Sequence, residues 1–227
     1  MMVEEPEPPD LDPEKVAYWY FRLNGFLQIE NFILHDARGN GQRTDADLLA
    51  VRFPHRAEFI FDQELPMKDD EEALHLSKAH IDIVIAEITV NRPCKLNGPW
   101  TKPERQNMHR VLAAVGCVPT DQIDGVAADL YATGCYAGPN NRVRLVSIGG
   151  SRNPDLDARF PSVTQLTWLD VLTFIWQRFQ KYRKQKTQVD QWDQCGKELL
   201  WLATGRPDQR RFIDEALARM GARNMIQ

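Results

Sequence analysis

The sequence predicts an α/β fold, a mixed central sheet flanked by helices with a helical extension toward the C-terminus. Three observations predict it. Residues 81–90, IDIVIAEITV, form an apolar run rich in β-branched side chains, the pattern of a strand buried on both faces. Residues 44–54 carry a second apolar run, Leu48 to Val51. Around these strands lie segments with 3.6-residue apolar spacing, so the coarse order is helix, strand, strand, strand, helix, helix, strand, helix.

Taken in order, residues 1–11 are acidic and proline-rich and read as a disordered tail. Asp12 with Pro13 opens a helix whose stripe is Val16, Tyr20 and Leu23, and Asn24-Gly25 ends it. Residues 26–34 read as a first strand, closed by a turn over residues 36–41. After the second strand comes a connection with a short strand over Phe59, Ile60 and Phe61 and a solvated acidic run, Asp69 to Glu72. Residues 91–100 form a structured loop. Thr101 and Glu104 have capping-box spacing before a helix carrying Met108, Val111, Leu112 and Val115, and a shorter helix spans residues 121–132. Residues 134–141 read as loop and 142–148 as the last strand. A long helix is expected from about Thr164 to Trp192, followed by helices over 196–203 and 207–220. The implied division is a core of residues 12–161 with C-terminal helices, 162–227, packed on it.

Of the 227 residues, 43% are apolar and 26% charged, which supports a sizeable core. The net charge of -4 means that any nucleic-acid contact must come from a local basic patch. Cys94, Cys117, Cys135 and Cys195 show no metal-ligand spacing and read as reduced thiols. Without a basic-then-apolar leader or a run of membrane-spanning length, the expectation is a soluble cytoplasmic protein with no membrane partner. There is no phosphate-binding glycine loop of the nucleotide-enzyme kinds.

Two carboxylates stand out, because an unpaired buried charge must be neutralised or partnered. Glu87 lies at the far end of the run over 81–90, and Asp47 leads into the second strand with Asp45 two residues before it. If these strands form a hairpin, Asp47 and Glu87 converge on one hard divalent cation, which prefers oxygen ligands.

These residues resemble the PD-(D/E)XK, or restriction-endonuclease-like, nucleases over roughly residues 12–150. That family places an Asp at the start of one strand and an acid-x-Lys motif at the end of the next, within an αβββαβ core. The resemblance implies DNA as partner and Mg²⁺ or Mn²⁺ as cofactor, with Asp47, Glu87 and the backbone carbonyl of Ile88 as ligands. It also implies phosphodiester hydrolysis, which isolated nucleases of this type often use in bacterial defence against foreign DNA. Thr89 stands where the family has Lys. Lys95 is the candidate substitute, ahead of Lys102 and Arg92; its alternative role is an exposed loop lysine. If no lysine substitutes, the expectation is a degenerate nuclease-fold subunit that binds nucleic acid or assembles with a protein partner or a second copy.

Other residues carry paired alternatives. Arg178, Lys181, Arg183, Lys184 and Lys186 form a run without acids, either a solvated helix face or a ridge contacting nucleic-acid phosphates. Gln106 and Asn107 either face the metal or lie on the surface. His35 and Asp36 follow the first strand and could approach the site. Trp100 either stacks on a base or packs beneath its loop.

Overall fold

The computed structural model describes residues 11–35, 42–59, 65–186, 188–205 and 208–222. The side chains of Gln42 and Arg43 lie outside that description, as do residues 1–10 of the expected tail, the expected turn at 36–41, with Asp36, residues 60–61 of the expected short strand, and Pro207. Phe59 is exposed and outside any strand.

Helix α1 (Pro13–Leu23) starts where Asp12 accepts a hydrogen bond from the Glu14 N–H, and ends before Gly25 at φ 79°. Strands β1 (Leu27–His35), β2 (Gln42–Arg52) and β3 (Ile81–Ile88) follow as an antiparallel meander. The crossover from β3 carries a single turn, α2 (Gly98–Thr101), then α3 (Asn107–Val115) and α4 (Ile123–Thr133), and brings in β5 (Asn141–Gly149) parallel to β3. Among the described residues the sheet has six strands, β1-β2-β3-β5 in that order with two short strands on the far side of β5. The short β4 (Cys135–Ala137) and β6 (Thr164–Thr167) both line the far edge of β5, the first antiparallel and the second parallel.

Alternation along the strands sorts the core into two layers. Leu48, Ala50, Val84, Ala86, Val146 and Ile148 face α1, α6 (Trp168–Lys181), α7 (Gln194–Gly205) and α8 (Gln209–Arg219). Leu49, Ile83, Ile85, Val143 and Leu145 face α3 and α4. β3 is therefore covered on both sides, as its unbroken apolar run requires.

The mixed α/β sheet is as expected, and several elements differ. Leu11 is not tail: it is fully buried, and its N–H donates to the Arg219 carbonyl at 3.3 Å. No capping box forms at Thr101; the chain passes through a 3-10 turn (Pro103–Arg105), and α3 begins after Gln106 at φ 53°. The expected long helix is β6 followed by α6, with Thr167 and Asp170 forming the capping box at the junction. Its apolar spacing could not reveal that β5 had a free edge for residues 164–167. β6 lies wholly beyond the expected boundary at 161/162, so residues outside the expected core complete the sheet. Helix α5 (Pro154–Arg159), capped by Asn153, lies between the expected last strand and the expected long helix.

The acidic run 69–72 is not uniformly solvated. The Asp69 side chain is 6% exposed and paired with Arg52, and Asp70 accepts from the Tyr20 hydroxyl at 2.7 Å.

Candidate active site at the open end of β2 and β3

Asp47 and Glu87 do come together. The last β2–β3 pair is Leu48 with Ala86, and one step beyond it the register sets Asp47 opposite Glu87. Because β2 already pairs with β1 from Gln42, Asp47 is not at the mouth of its strand; it sits where β2 gains its second neighbour. The Ile88 N–H donates to Asp47 Oδ2 at 2.7 Å. In an extended strand a residue's N–H and C=O point the same way, so the Ile88 carbonyl is directed to this same edge.

Glu87 is 3% exposed, and its two oxygens accept from Trp100 Nε1 and Asn97 Nδ2. Trp100 thus packs beneath the loop as one of its two readings had it, while also orienting Glu87. Burial pushes the Glu87 carboxyl up to about 8, and the negative charge of Asp47 pushes the same way; the Trp100 hydrogen bond and the Lys95 charge pull it down. Asp47 is raised as well, first by burial, while the Ile88 N–H and the Lys95 charge oppose the rise.

Lys95 is half-buried, and its charge acts on both acids. Its backbone is clamped to β5: Ser147 Oγ accepts from the Lys95 N–H and donates to the Lys95 carbonyl, each at 2.8 Å. Ser147 is the register partner of Glu87 across β3 and β5. The Cys94 N–H also donates to the Ser151 carbonyl at 2.8 Å. This close approach depends on Gly149, where a Cβ would fall 2.6 Å from Cys94 N. Gly149→Ala is expected to cost roughly 1–3 kcal/mol and to displace Lys95, read as a lowered Tm.

Thr89 has no ionic role. Its N–H donates to the Ile148 carbonyl and its carbonyl accepts from Trp168 Nε1, both at 2.9 Å, so its backbone is turned toward β5 and α6. Arg92 and Lys102 are exposed. Gln106 is exposed too, and Asn107 is buried and donates to the Pro99 carbonyl at 3.1 Å, bracing the loop. His35 ends β1 in an exposed position.

The basic ridge does not join the site. Arg178 is 2% exposed, and its guanidinium donates inward to the carbonyls of Lys68 and Leu23. Lys186 is paired with Glu58 at 2.7 Å, and Lys181, Arg183 and Lys184 remain exposed. Arg178 belongs with Arg52 and Asp69 at the C-terminal end of β2, whereas Asp47 lies mid-strand. Asp47 and Arg52 are five residue steps apart along the strand, about 16 Å. The run looked like one face in sequence because the buried partners of Arg178 and Lys186 lie more than a hundred residues away.

Two site residues went unnoticed in sequence. Ser147 interrupts an apolar run near the end of β5, the same signal that singled out Glu87. Glu14, on the first turn of α1, is raised to about 7 by burial and then by the charges of Asp47, Asp12, Asp45 and Glu30. Nothing in the α1 pattern ties that residue to β2.

The donor set fits a hard divalent cation: two carboxylates, both disfavoured by burial, with the charge of Asp47 adding to the rise at Glu87 and that of Asp45 to the rise at Asp47, beside a carbonyl. Among the described residues no three His, Cys, Asp or Glu side chains converge as a metal cage, so such an ion would rest on two acids, the carbonyl and water. Metal-free, Glu87→Gln is expected to stabilise the protein by a few kcal/mol at pH 9 and by nothing near pH 4. A carboxyl raised in the folded state loses its contribution to stability as pH rises from about 4.5 through 8, and Gln removes that loss. Thermal melts in EDTA across this range check it.

Among the described residues no helix is long and apolar enough to cross a membrane. No protein-family model, curated protein or solved structure matches the chain.

Proposed function

We propose that the protein is a Mg²⁺- or Mn²⁺-dependent nuclease that hydrolyses DNA phosphodiester bonds in the cytoplasm on a restriction-endonuclease-like core. The observation that supports it most is the meeting of Asp47 and Glu87 at the open end of β2 and β3, with the Lys95 charge acting on both. A role in defence against foreign DNA rests on the resemblance alone.

Asp47, Glu87 and the Ile88 carbonyl would hold the ion. When bound, a divalent ion of this kind lowers the pKa of water and offsets charge developing on a phosphoryl group. The chain's own residues prepare for that chemistry. Trp100 and Asn97 orient Glu87, the Ile88 N–H holds Asp47, and the Ser147 clamp presents Lys95 as a positive charge in place of the motif lysine. That charge stabilises the negative charge that builds on the phosphoryl oxygens in the transition state and orients the attacking water.

The test is cleavage of linear and supercoiled DNA with Mg²⁺, with Mn²⁺ and with EDTA, by the wild type and by Lys95→Ala. Metal-dependent cleavage that falls on the order of 10²-fold in Lys95→Ala, with Tm unchanged, is expected. Cleavage that ignores EDTA, or an unaffected Lys95→Ala, contradicts it.

One observation favours the second reading, a degenerate subunit that binds nucleic acid or assembles with a protein partner or its own copy. Both Glu87 oxygens already have protein donors, and a carboxyl raised to about 8 is neutral at pH 7. That reading expects no cleavage with either metal and a stable partner in a pull-down. A Thr89→Lys variant that gained activity would mean that the remaining site is intact.

A further inference from the structure

At the end of the sheet away from Asp47, positive charge outruns its partners. Arg52, Arg56, Arg178 and Lys186 share two carboxylates among the described residues. Asp69 lies 2.8 Å from Arg52, 2.5 Å from Arg56 and 3.5 Å from Arg178. Glu58 lies 2.6 Å from Arg56, 3.2 Å from Arg178 and 2.7 Å from Lys186. Neighbouring acids are engaged elsewhere, Asp70 with Tyr20 and Glu71 with Lys78. The side chains of Arg52, Arg178 and Lys186 are 7%, 1% and 14% exposed, so water screens the excess poorly. Arg178 Nε is buried without a hydrogen-bond partner, and burial lowers the Arg178 pKa despite Asp69 and Glu58.

An open cavity of about 400 Å³ lies against this cluster, and Arg52, Arg56, Lys68, Lys78 and His55 line it with Asp69 and Glu71 as its acids. Its volume is in the range of small-ligand sites. In a chain of net charge -4, a concave and partly desolvated concentration of guanidinium and ammonium groups attracts a compact multivalent anion.

We propose that this cavity is a phosphate-binding site, taking the phosphoryl group of a nucleotide or of a DNA strand. Arg56 and Lys68 provide the first contacts, and the Arg52–Arg178 cluster supplies the field behind them. The site is separate from the Asp47–Glu87 pair, about 16 Å away along β2, and does not depend on catalysis there.

The full chain is titrated at low salt in EDTA with inorganic phosphate, ATP, and a short single-stranded oligonucleotide with and without a 5′ phosphate. Binding is followed by calorimetry and by Tm. Lys68→Glu and Lys78→Glu are compared with the wild type, because both lysines are exposed and tolerate the change; Arg210→Glu, exposed on α8, is the control. Saturable binding that weakens tenfold or more in Lys68→Glu, and not in Arg210→Glu, is expected. Preference for ATP identifies a small-molecule site, and preference for the 5′-phosphorylated strand identifies a DNA contact; either supports the phosphate chemistry. No saturable binding of any probe, or binding indifferent to Lys68→Glu and Lys78→Glu, overturns it. Absence of metal-dependent DNA cleavage by the wild type, with phosphate binding intact, would count against the nuclease proposal alone.

Discussion

Asp47→Asn and Glu87→Gln are each expected to lower Mg²⁺-dependent DNA cleavage on the order of 10³-fold or more. Both changes remove charge and keep shape. In Asp47→Asn the new amide still offers an oxygen to the Ile88 N–H, and in Glu87→Gln it still offers one to Trp100, while the Asn97 amide can turn to meet the added NH₂ group. The fold therefore survives, and the metal-free Glu87→Gln protein gains stability at alkaline pH even as it loses activity, a trade-off expected where a site holds charge against the preference of its surroundings. The two acids act as a unit, so the double variant should be scarcely worse than either single one. Initial rates at saturating Mg²⁺, with Tm as a folding control, decide it. Retention of a tenth of wild-type activity in either variant would remove that residue from the proposed ligand set.

The parts legible in sequence were those whose cause is local. The β3 run announces a strand covered on both faces, and Asp12-Pro13 and Gly25 mark the two ends of α1. The placing of Asp47 opposite Glu87 could be anticipated because a meander of two adjacent strands leaves little freedom of register. What escaped depends on partners distant in the chain. β6 is a strand only because β5 has an edge to offer, so its four residues looked like the first turn of α6. Arg178 fits a surface ridge until Leu23, Lys68 and Asp69 close around it. The clamp from Ser147 to Lys95 spans 52 residues, and in sequence Lys95 was one loop lysine among several.

Asp82→Asn is expected to destabilise the fold by about 3–5 kcal/mol, a fall in Tm on the order of 10 °C. Asp82 is 1% exposed in the middle of the sheet and takes two guanidinium forks at once. Arg144 donates to it at 3.0 and 2.9 Å, and Arg142 at 3.1 and 2.8 Å. Arg144 is itself 2% exposed, with Thr164 as its other side-chain partner at 2.9 Å, so removing the carboxylate strands a guanidinium inside the protein. Arg142 also reaches the His75 carbonyl, so the same carboxylate ties the connection before β3 to β5. Burial alone would raise the Asp82 carboxyl, but the hydrogen bonds and charges of Arg144 and then Arg142 outweigh it and hold it below the usual value. A depressed carboxyl contributes its stability above the unfolded value of about 3.8 and loses it as pH falls through the folded one. The gap between wild type and Asp82→Asn should therefore be full at pH 7 and shrink below pH 4, as followed by urea unfolding at both. Adding Arg144→Met to Asp82→Asn should recover part of the loss, because it removes the stranded charge while keeping apolar volume. A loss under 1 kcal/mol at pH 7, or no recovery in the double variant, would mean that the two arginines find other partners and that Asp82 does not hold this layer of the sheet together.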